Sequence, residues 1–281
     1  MAAVRMGLQV VAGTGGPDAR DAVRIAGLSY RLMDRQKRQL QILDHVDLAL
    51  KEAEFVSIVG PSGCGKSTLL NFIAGLTPVQ SGSVEVFGTP PGAEGAPIGY
   101  VFQQHALLPW RNVLQNTVIS LEVKGVARAE REQRAREMLG VMGLDGFEDH
   151  FPREISGGMR QRVSLARTLV DNPRLILMDE PFGALDAQTK LLIQEMFLKY
   201  WEEHRKSVLF ITHDLAEAIA LADRVLVMSS RPGRILAEYE VGIPRPRTLD
   251  QVRHMARFTE LHDAIWEDLR GEALKAMQGR A

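Results

Sequence analysis

The chain has 281 residues, with 34 Lys and Arg against 35 Asp and Glu and a net charge of −1. That suits one large or two modest domains and offers no basic excess to hold nucleic acid. The single cysteine, Cys64, excludes a disulfide within the chain and fits a reducing cytoplasm.

Residues 1–20 are rich in Gly and Ala and too weakly apolar for a signal peptide. They read as a disordered tail, spanning 1–22, ahead of a domain that opens near residue 23. Up to about residue 103, strand-like and loop segments alternate around one helix. Phe55-Val56-Ser57-Ile58-Val59 reads as a buried strand and Leu69-Leu70-Asn71-Phe72-Ile73-Ala74 as a helix. Between them lies Gly60-Pro61-Ser62-Gly63-Cys64-Gly65-Lys66-Ser67-Thr68, a G-x-x-x-x-G-K-[ST] pattern in the strand–loop–helix context that gives it meaning. Glycines let successive N–H groups point at phosphate oxygens, and the helix adds its positive dipole end. Lys66 is placed to reach the β- and γ-phosphates of a nucleotide, and the Ser67 hydroxyl to bind Mg²⁺. The longest uncharged window, residues 67–84, is broken by Asn71, Pro78 and Gln80. It falls short of the about 20 mostly apolar residues of a membrane-spanning helix.

Residues 88–97 form a Pro/Gly-rich loop between strands, and from about 104 to 167 the pattern turns helical. His105-Ala106-Leu107-Leu108-Pro109-Trp110-Arg111-Asn112-Val113 is apolar and carries a Trp, the composition of an exposed binding patch. In residues 129–139 the charges interleave as on a solvated helix face. Ser156-Gly157-Gly158 opens the helix through residues 163–170, a second anion-binding helix N-terminus. Leu175-Ile176-Leu177-Met178-Asp179 is the profile of a parallel strand buried on both faces. Its acid emerges where such folds bind ligands, so Asp179 can hold Mg²⁺ and Glu180 can take a proton from an attacking water. Strand-like runs return at 208–211 and 225–228. Met255, Phe258, Leu261, Ile265 and Leu269 then recur at helical spacing, a stripe expected to pack on the core.

Ile155-Ser156-Gly157-Gly158-Met159-Arg160-Gln161-Arg162 resembles the signature motif of ATP-binding cassette (ABC) ATPases, with Met159 and Ile155 in place of the usual glutamine and leucine. The resemblance implies an α/β fold: a P-loop NTPase (RecA-like) core with an antiparallel β subdomain and an inserted α-helical subdomain. The ATPase domain then covers 23–245, the helical insert about 104–167, and a C-terminal helical extension 246–281. It further implies that Ser156, Gly157 and Gly158 serve the ATP held by a second copy, two nucleotides being sandwiched head to tail. Four more elements match the family in order. Gln103 falls where a glutamine contacts Mg²⁺ and water, and Ala184-Leu185-Asp186 resembles the loop crossing the dimer interface. His213 resembles the histidine on the γ-phosphate, and Tyr30 an aromatic that stacks on adenine. The stretch from Arg31 to Gln41 looks longer than the usual connection there.

Leu107-Leu108-Pro109-Trp110-Arg111-Asn112-Val113, Pro181-Phe182-Gly183-Ala184-Leu185-Asp186-Ala187-Gln188-Thr189 and Ser230-Arg231-Pro232-Gly233-Arg234-Ile235 are similar to the nitrate/sulfonate/taurine branch of bacterial importers. That resemblance implies an ATP- and Mg²⁺-dependent ATPase on the cytoplasmic face of the inner membrane. It docks on a separate permease fed by an external solute-binding protein. An exporter subunit, a DNA-repair or chromosome ATPase and a two-cassette translation factor are the rival classes. The short insert and single motif set disfavour the last two.

Overall fold

The computed structural model describes residues 21–33, 37–93 and 98–278; residues 1–20, nearly all of the expected tail, lie outside them. In chain order the strands are β1 (Asp21–Met33), β2 (Gln39–Lys51), β3 (Phe55–Val59), β4 (Ser81–Val86), β5 (Ile98–Val101), β6 (Leu175–Asp179), β7 (Ser207–Ile211), β8 (Arg224–Met228) and β9 (Ile235–Glu240). The α-helices are α1 (Lys66–Ile73), α2 (Val113–Thr117), α3 (Ile119–Val123), α4 (Arg128–Val141), α5 (Gly157–Leu169), α6 (Ala187–His204), α7 (Leu215–Leu221), α8 (Leu249–Arg253) and α9 (Ala256–Gln278). The chain divides into two compact units, Met1–Ala96 with Ser207–Ala281, and Pro97–Lys206.

The first unit holds two sheets. One is antiparallel, in the order β2-β1-β4. Along β2, Val46, Leu48 and Leu50 are buried while Asp47, Ala49 and Lys51 are exposed, the period-2 alternation of a sheet with one face on the core. The hairpin pairs Arg31 with Gln41 and Met33 with Gln39. Much of the stretch read as a long connection is therefore strand, because cross-strand pairing continues beyond the apolar residues that mark a strand in sequence. In the other sheet, β7, β3 and β8 run parallel and β9 closes the edge antiparallel to β8. All five residues of β3 and of β7 are buried, so both strands read as continuous apolar runs. Phe55 and Phe210 meet edge to face across that pair, ring centroids 5.9 Å apart. Leu261 and Ile265 of α9 are fully buried, as the stripe predicts. Met255 is instead exposed, because it precedes the first turn of α9 and does not share its face.

In the second unit β5 and β6 pair in parallel. Helix α5 lies close on β5. A Cβ added to Gly99 would sit 2.7 Å from the Thr168 methyl, and the Thr168 hydroxyl donates to the Tyr100 carbonyl at 3.3 Å. Helix α4 buries only Ala135 and Leu139, and its charges pair along the surface through Arg128–Glu132 and Arg134–Glu130. Among the described residues no helix is long and apolar enough to cross a membrane.

Candidate functional site

The site residues fall into two sets, one in each unit. In the first unit the loop after β3 turns back through Gly63 (φ +74°) and Gly65 (φ +108°), backbone conformations that side chains rarely tolerate. Gly65 caps α1, which begins at Lys66, three residues ahead of the apolar run that announces it. Lys66 and Ser67 therefore occupy the first turn, at the dipole's positive end. Crowding also demands glycine here: a Cβ on Gly60 would lie 2.9 Å from the Met228 carbonyl oxygen.

Lys66 is 6% exposed, and its ammonium donates to the carbonyls of Gly60 (2.8 Å) and Pro61 (3.0 Å). A cation that desolvated needs such partners. Pro61, Ser62, Ser67 and Thr68 are not buried. Burial pushes the Cys64 thiol up, against the pull of the nearby Lys66 ammonium, so this cysteine stays protonated. His213 follows β7, the parallel neighbour of β3, so it and the glycine loop leave adjacent strands at the same end. His213 is exposed, and Asp214 beside it caps α7 by accepting from the Ala216 and Glu217 N–H groups. Tyr30 lies in β1, and its ring meets Phe72 of α1 edge to face at 5.0 Å.

In the second unit Asp179 ends β6 and Glu180 follows with φ +45°, a left-handed conformation costing a non-glycine residue about 1–3 kcal/mol. Asp179 is close enough to Tyr100 to help burial push that phenol up. The Gln103 amide donates to the Glu180 carboxylate at 3.2 Å, so these two candidates, 77 positions apart, meet. Ser156 is exposed and caps α5, its hydroxyl accepting from the Met159 N–H at 3.2 Å. Gly157 forms the first turn. Gly158 packs against α6, where a Cβ would fall 2.4 Å from the Thr189 methyl. Asp186 caps α6 by accepting from the Thr189 N–H at 3.0 Å, which holds its carboxyl below the usual range.

The proposed Mg²⁺ donors are the Ser67 hydroxyl, the Gln103 amide and the Asp179 carboxylate, hard oxygens of the kind that ion takes. Among the described residues no group of three or more His, Cys, Asp or Glu is gathered as a metal cage. Ser67 lies in the first unit and Gln103 and Asp179 in the second, and each unit by itself offers hard oxygens suited to an ion that arrives on phosphates and keeps some of its waters.

Trp110 is 71% exposed, as the sequence pattern predicts for a binding patch. The turn presenting it is held by a residue that the sequence reading missed. Asn116 is fully buried; its side chain accepts from the Leu108 N–H (2.8 Å) and donates to the carbonyls of Leu108 (3.1 Å), Arg111 (2.9 Å) and Asn112 (3.0 Å). Arg167 of α5 was missed too. Its guanidinium donates to the carbonyls of His105 (2.8 Å) and Ala106 (2.7 Å), and Gln161 bonds the His105 ring at 2.6 Å. An arginine inside an otherwise apolar helical run is the one signal that could have found Arg167.

The family described as ABC transporter matches residues 43–183. The chain is 43% identical over 248 residues to an uncharacterized ABC transporter ATP-binding protein of Methanocaldococcus jannaschii, covering 88% of this chain and 91% of that protein. It is 45% identical over 249 residues to the taurine import ATP-binding protein TauB of Rhizobium johnstonii, covering 85% and 95%. Among solved structures it is similar to a dimeric post-hydrolysis state of an ATP-binding cassette bound to ADP and Pi. There the TM-score is 0.70 at 34% identity, covering 79% of this chain and 100% of that one.

Proposed function

This chain belongs to the ABC transporter family and is an ABC-type ATPase, and on that premise we propose that it powers an importer for a small anionic or zwitterionic solute. A sulfonate, taurine or nitrate is of that class, and the relative named for taurine import supports it. Two copies close head to tail on two ATP molecules, docked from the cytoplasmic side on a separate permease that an external solute-binding protein supplies. The observation that carries the docking is the rigidly clamped, outward Trp110 on the loop that leaves Gln103. Beside it, Arg111, Gln115, Glu122 and Arg131 line a pocket of about 330 Å³, room for a side chain of a permease helix. Trp and Arg are the residues that most often anchor such contacts.

In the chemistry we assign, the 60–68 loop amides and Lys66 bind the β- and γ-phosphates. Ser67, Gln103 and Asp179 would hold Mg²⁺, which would supply further charge neutralisation. Gln103 orients the water, and Glu180 takes its proton as the oxygen bonds to the γ-phosphorus. The bond to the bridging oxygen breaks, leaving ADP and phosphate. His213 supports the γ-phosphate, and Ser156 with the α5 dipole completes the neighbour's site. Tyr30 contributes an aromatic surface for adenine, and Asp186 carries the turn at the dimer contact. Positioning and electrostatics supply nearly all of the rate in such transfers.

Trp110→Glu tests the docking. Because the side chain is mostly solvated, the fold and ATP affinity are expected to persist. Co-purification with the permease and solute uptake are expected to fall at least about tenfold, the loss of one interface anchor. Normal uptake by this variant removes the docking assignment.

A further inference from the structure

Residues 229–234 carry a motif that neither the nucleotide chemistry nor the docking uses, yet they touch the phosphate loop directly. The Arg231 guanidinium donates to the Gly63 carbonyl through Nη2 (3.0 Å) and Nε (3.3 Å). Gly233 lies so close that a Cβ there would stand 2.2 Å from the Cys64 carbonyl oxygen. Its own backbone is stitched to β2, donating to the Ile42 carbonyl (2.8 Å) and accepting from the Asp44 N–H (3.0 Å). The Ser229 hydroxyl closes the loop on itself, its one proton shared between or taken by either of the carbonyls of Ser230 and Pro232 (both at 2.8 Å) while its oxygen accepts from the Arg234 N–H (2.9 Å). Arg234 pairs with Asp44, anchoring the far end.

The near end is held from α9. Glu272 is 4% exposed, and its Oε2 accepts from both the Ser230 N–H (2.9 Å) and the Ser230 hydroxyl (3.0 Å). One turn earlier, Asp268 accepts from the Tyr239 hydroxyl at 2.6 Å, so the same helix face is tied to β9.

A trans peptide is planar, with its C=O and the following N–H pointing opposite ways. Holding the Gly63 carbonyl therefore fixes the peptide plane that carries the Cys64 N–H, which here donates within the loop to the Pro61 carbonyl (3.4 Å), and the close approach of Gly233 to the Cys64 carbonyl restricts the plane that carries the Gly65 N–H. Both belong to the stretch whose amides must converge on phosphate. Gly63 and Gly65 make that stretch the most conformationally free part of the loop, and an outside hold there raises affinity by reducing the ordering cost of binding.

We propose that residues 229–234 are a brace that pre-sets the phosphate-binding amides, with Arg231 and Glu272 as positioning residues that link α9 to ATP affinity. This rests on the 60–68 loop being the ATP cradle. The test measures ADP binding by calorimetry and ATPase kcat and KM on the full-length chain. Arg231→Ala, at an exposed side chain, and Glu272→Ala are each expected to weaken ADP binding and raise KM for ATP about fivefold to tenfold, the order of one ordinary net hydrogen bond, with kcat changed less than about twofold. Glu272→Gln, which keeps an acceptor for Ser230, is expected to recover most of the affinity. The Arg231→Ala/Glu272→Ala pair is expected to lose less than the product of the single effects, since both act through one loop. Unchanged affinity in single variants that melt like the parent, or a fall confined to kcat, overturns the brace. Lys66→Ala separates the premise: if it binds ADP as tightly as the parent, the cradle reading fails, whereas its failure to bind beside unaltered Arg231 and Glu272 variants rejects only the brace.

Discussion

Replacing Glu180 by Gln is expected to cut ATP turnover by about 10²–10⁴, the range for loss of a general base, while ATP affinity stays within a few-fold. The substitution is nearly isosteric, and Gln suffers the left-handed backbone at this position (φ +45°) no more than Glu does. It keeps an oxygen that can accept from Gln103, the present partner of the carboxylate. What it loses is the capacity to take up a proton, so binding persists and chemistry stops. A subunit that binds ATP and cannot hydrolyse it should accumulate as the closed pair. Size-exclusion chromatography with ATP is expected to show a dimer that the parent forms only transiently. Near-normal phosphate release by the variant removes Glu180 from the role of base and leaves that step without a residue.

The parts of this molecule that could be read in advance are those where the physics is local. Strand β3 runs over Phe55–Val59 as the apolar run indicates, because a parallel strand buried on both faces has no solvated side to interrupt it. Strand β6 covers Leu175–Asp179 with the acid at its end, as the run indicates, and α5 begins at the glycines after Ser156, where a serine N-cap starts a helix. Less legible were residues whose partners are remote. Glu272 meets Ser230 across 42 positions and Arg167 meets Ala106 across 61, and no short-range pattern encodes such pairs. Asn116 looks in sequence like an ordinary polar residue within a short helix; only the folded turn reveals four backbone groups converging on it. Two motif residues thus cap helices as well, Ser156 as its position announced and Asp186 with no signal from its motif. The Ser156 hydroxyl and the Asp186 carboxylate are each bonded to a backbone N–H three residues on. A substitution there mixes lost capping, about 1 kcal/mol, with any lost contact to nucleotide.

That mixing dictates how the shared site should be tested. Lys66→Ala removes the cradle's ammonium. Ser156→Asp keeps an oxygen able to cap α5 and suits the helix dipole, yet sets a negative charge where a γ-phosphate of the neighbour is to lie. Each protein alone forms pairs in which both sites carry the same defect, so each is expected to be nearly inactive. In a mixed pair the two defects segregate: one site receives both, while the other joins an intact Lys66 to an intact Ser156. Equal mixing with random pairing makes half of all pairs mixed, so about a quarter of all sites are whole. Recovery of about a quarter of parental turnover is expected if sites fire independently, and less if each needs the other. A site built within one polypeptide contains no such segregation, and the mixture then stays as inactive as its components. Phosphate release across a titration of one variant into the other distinguishes the cases, since shared sites give a maximum at equal amounts and self-contained sites give a flat line.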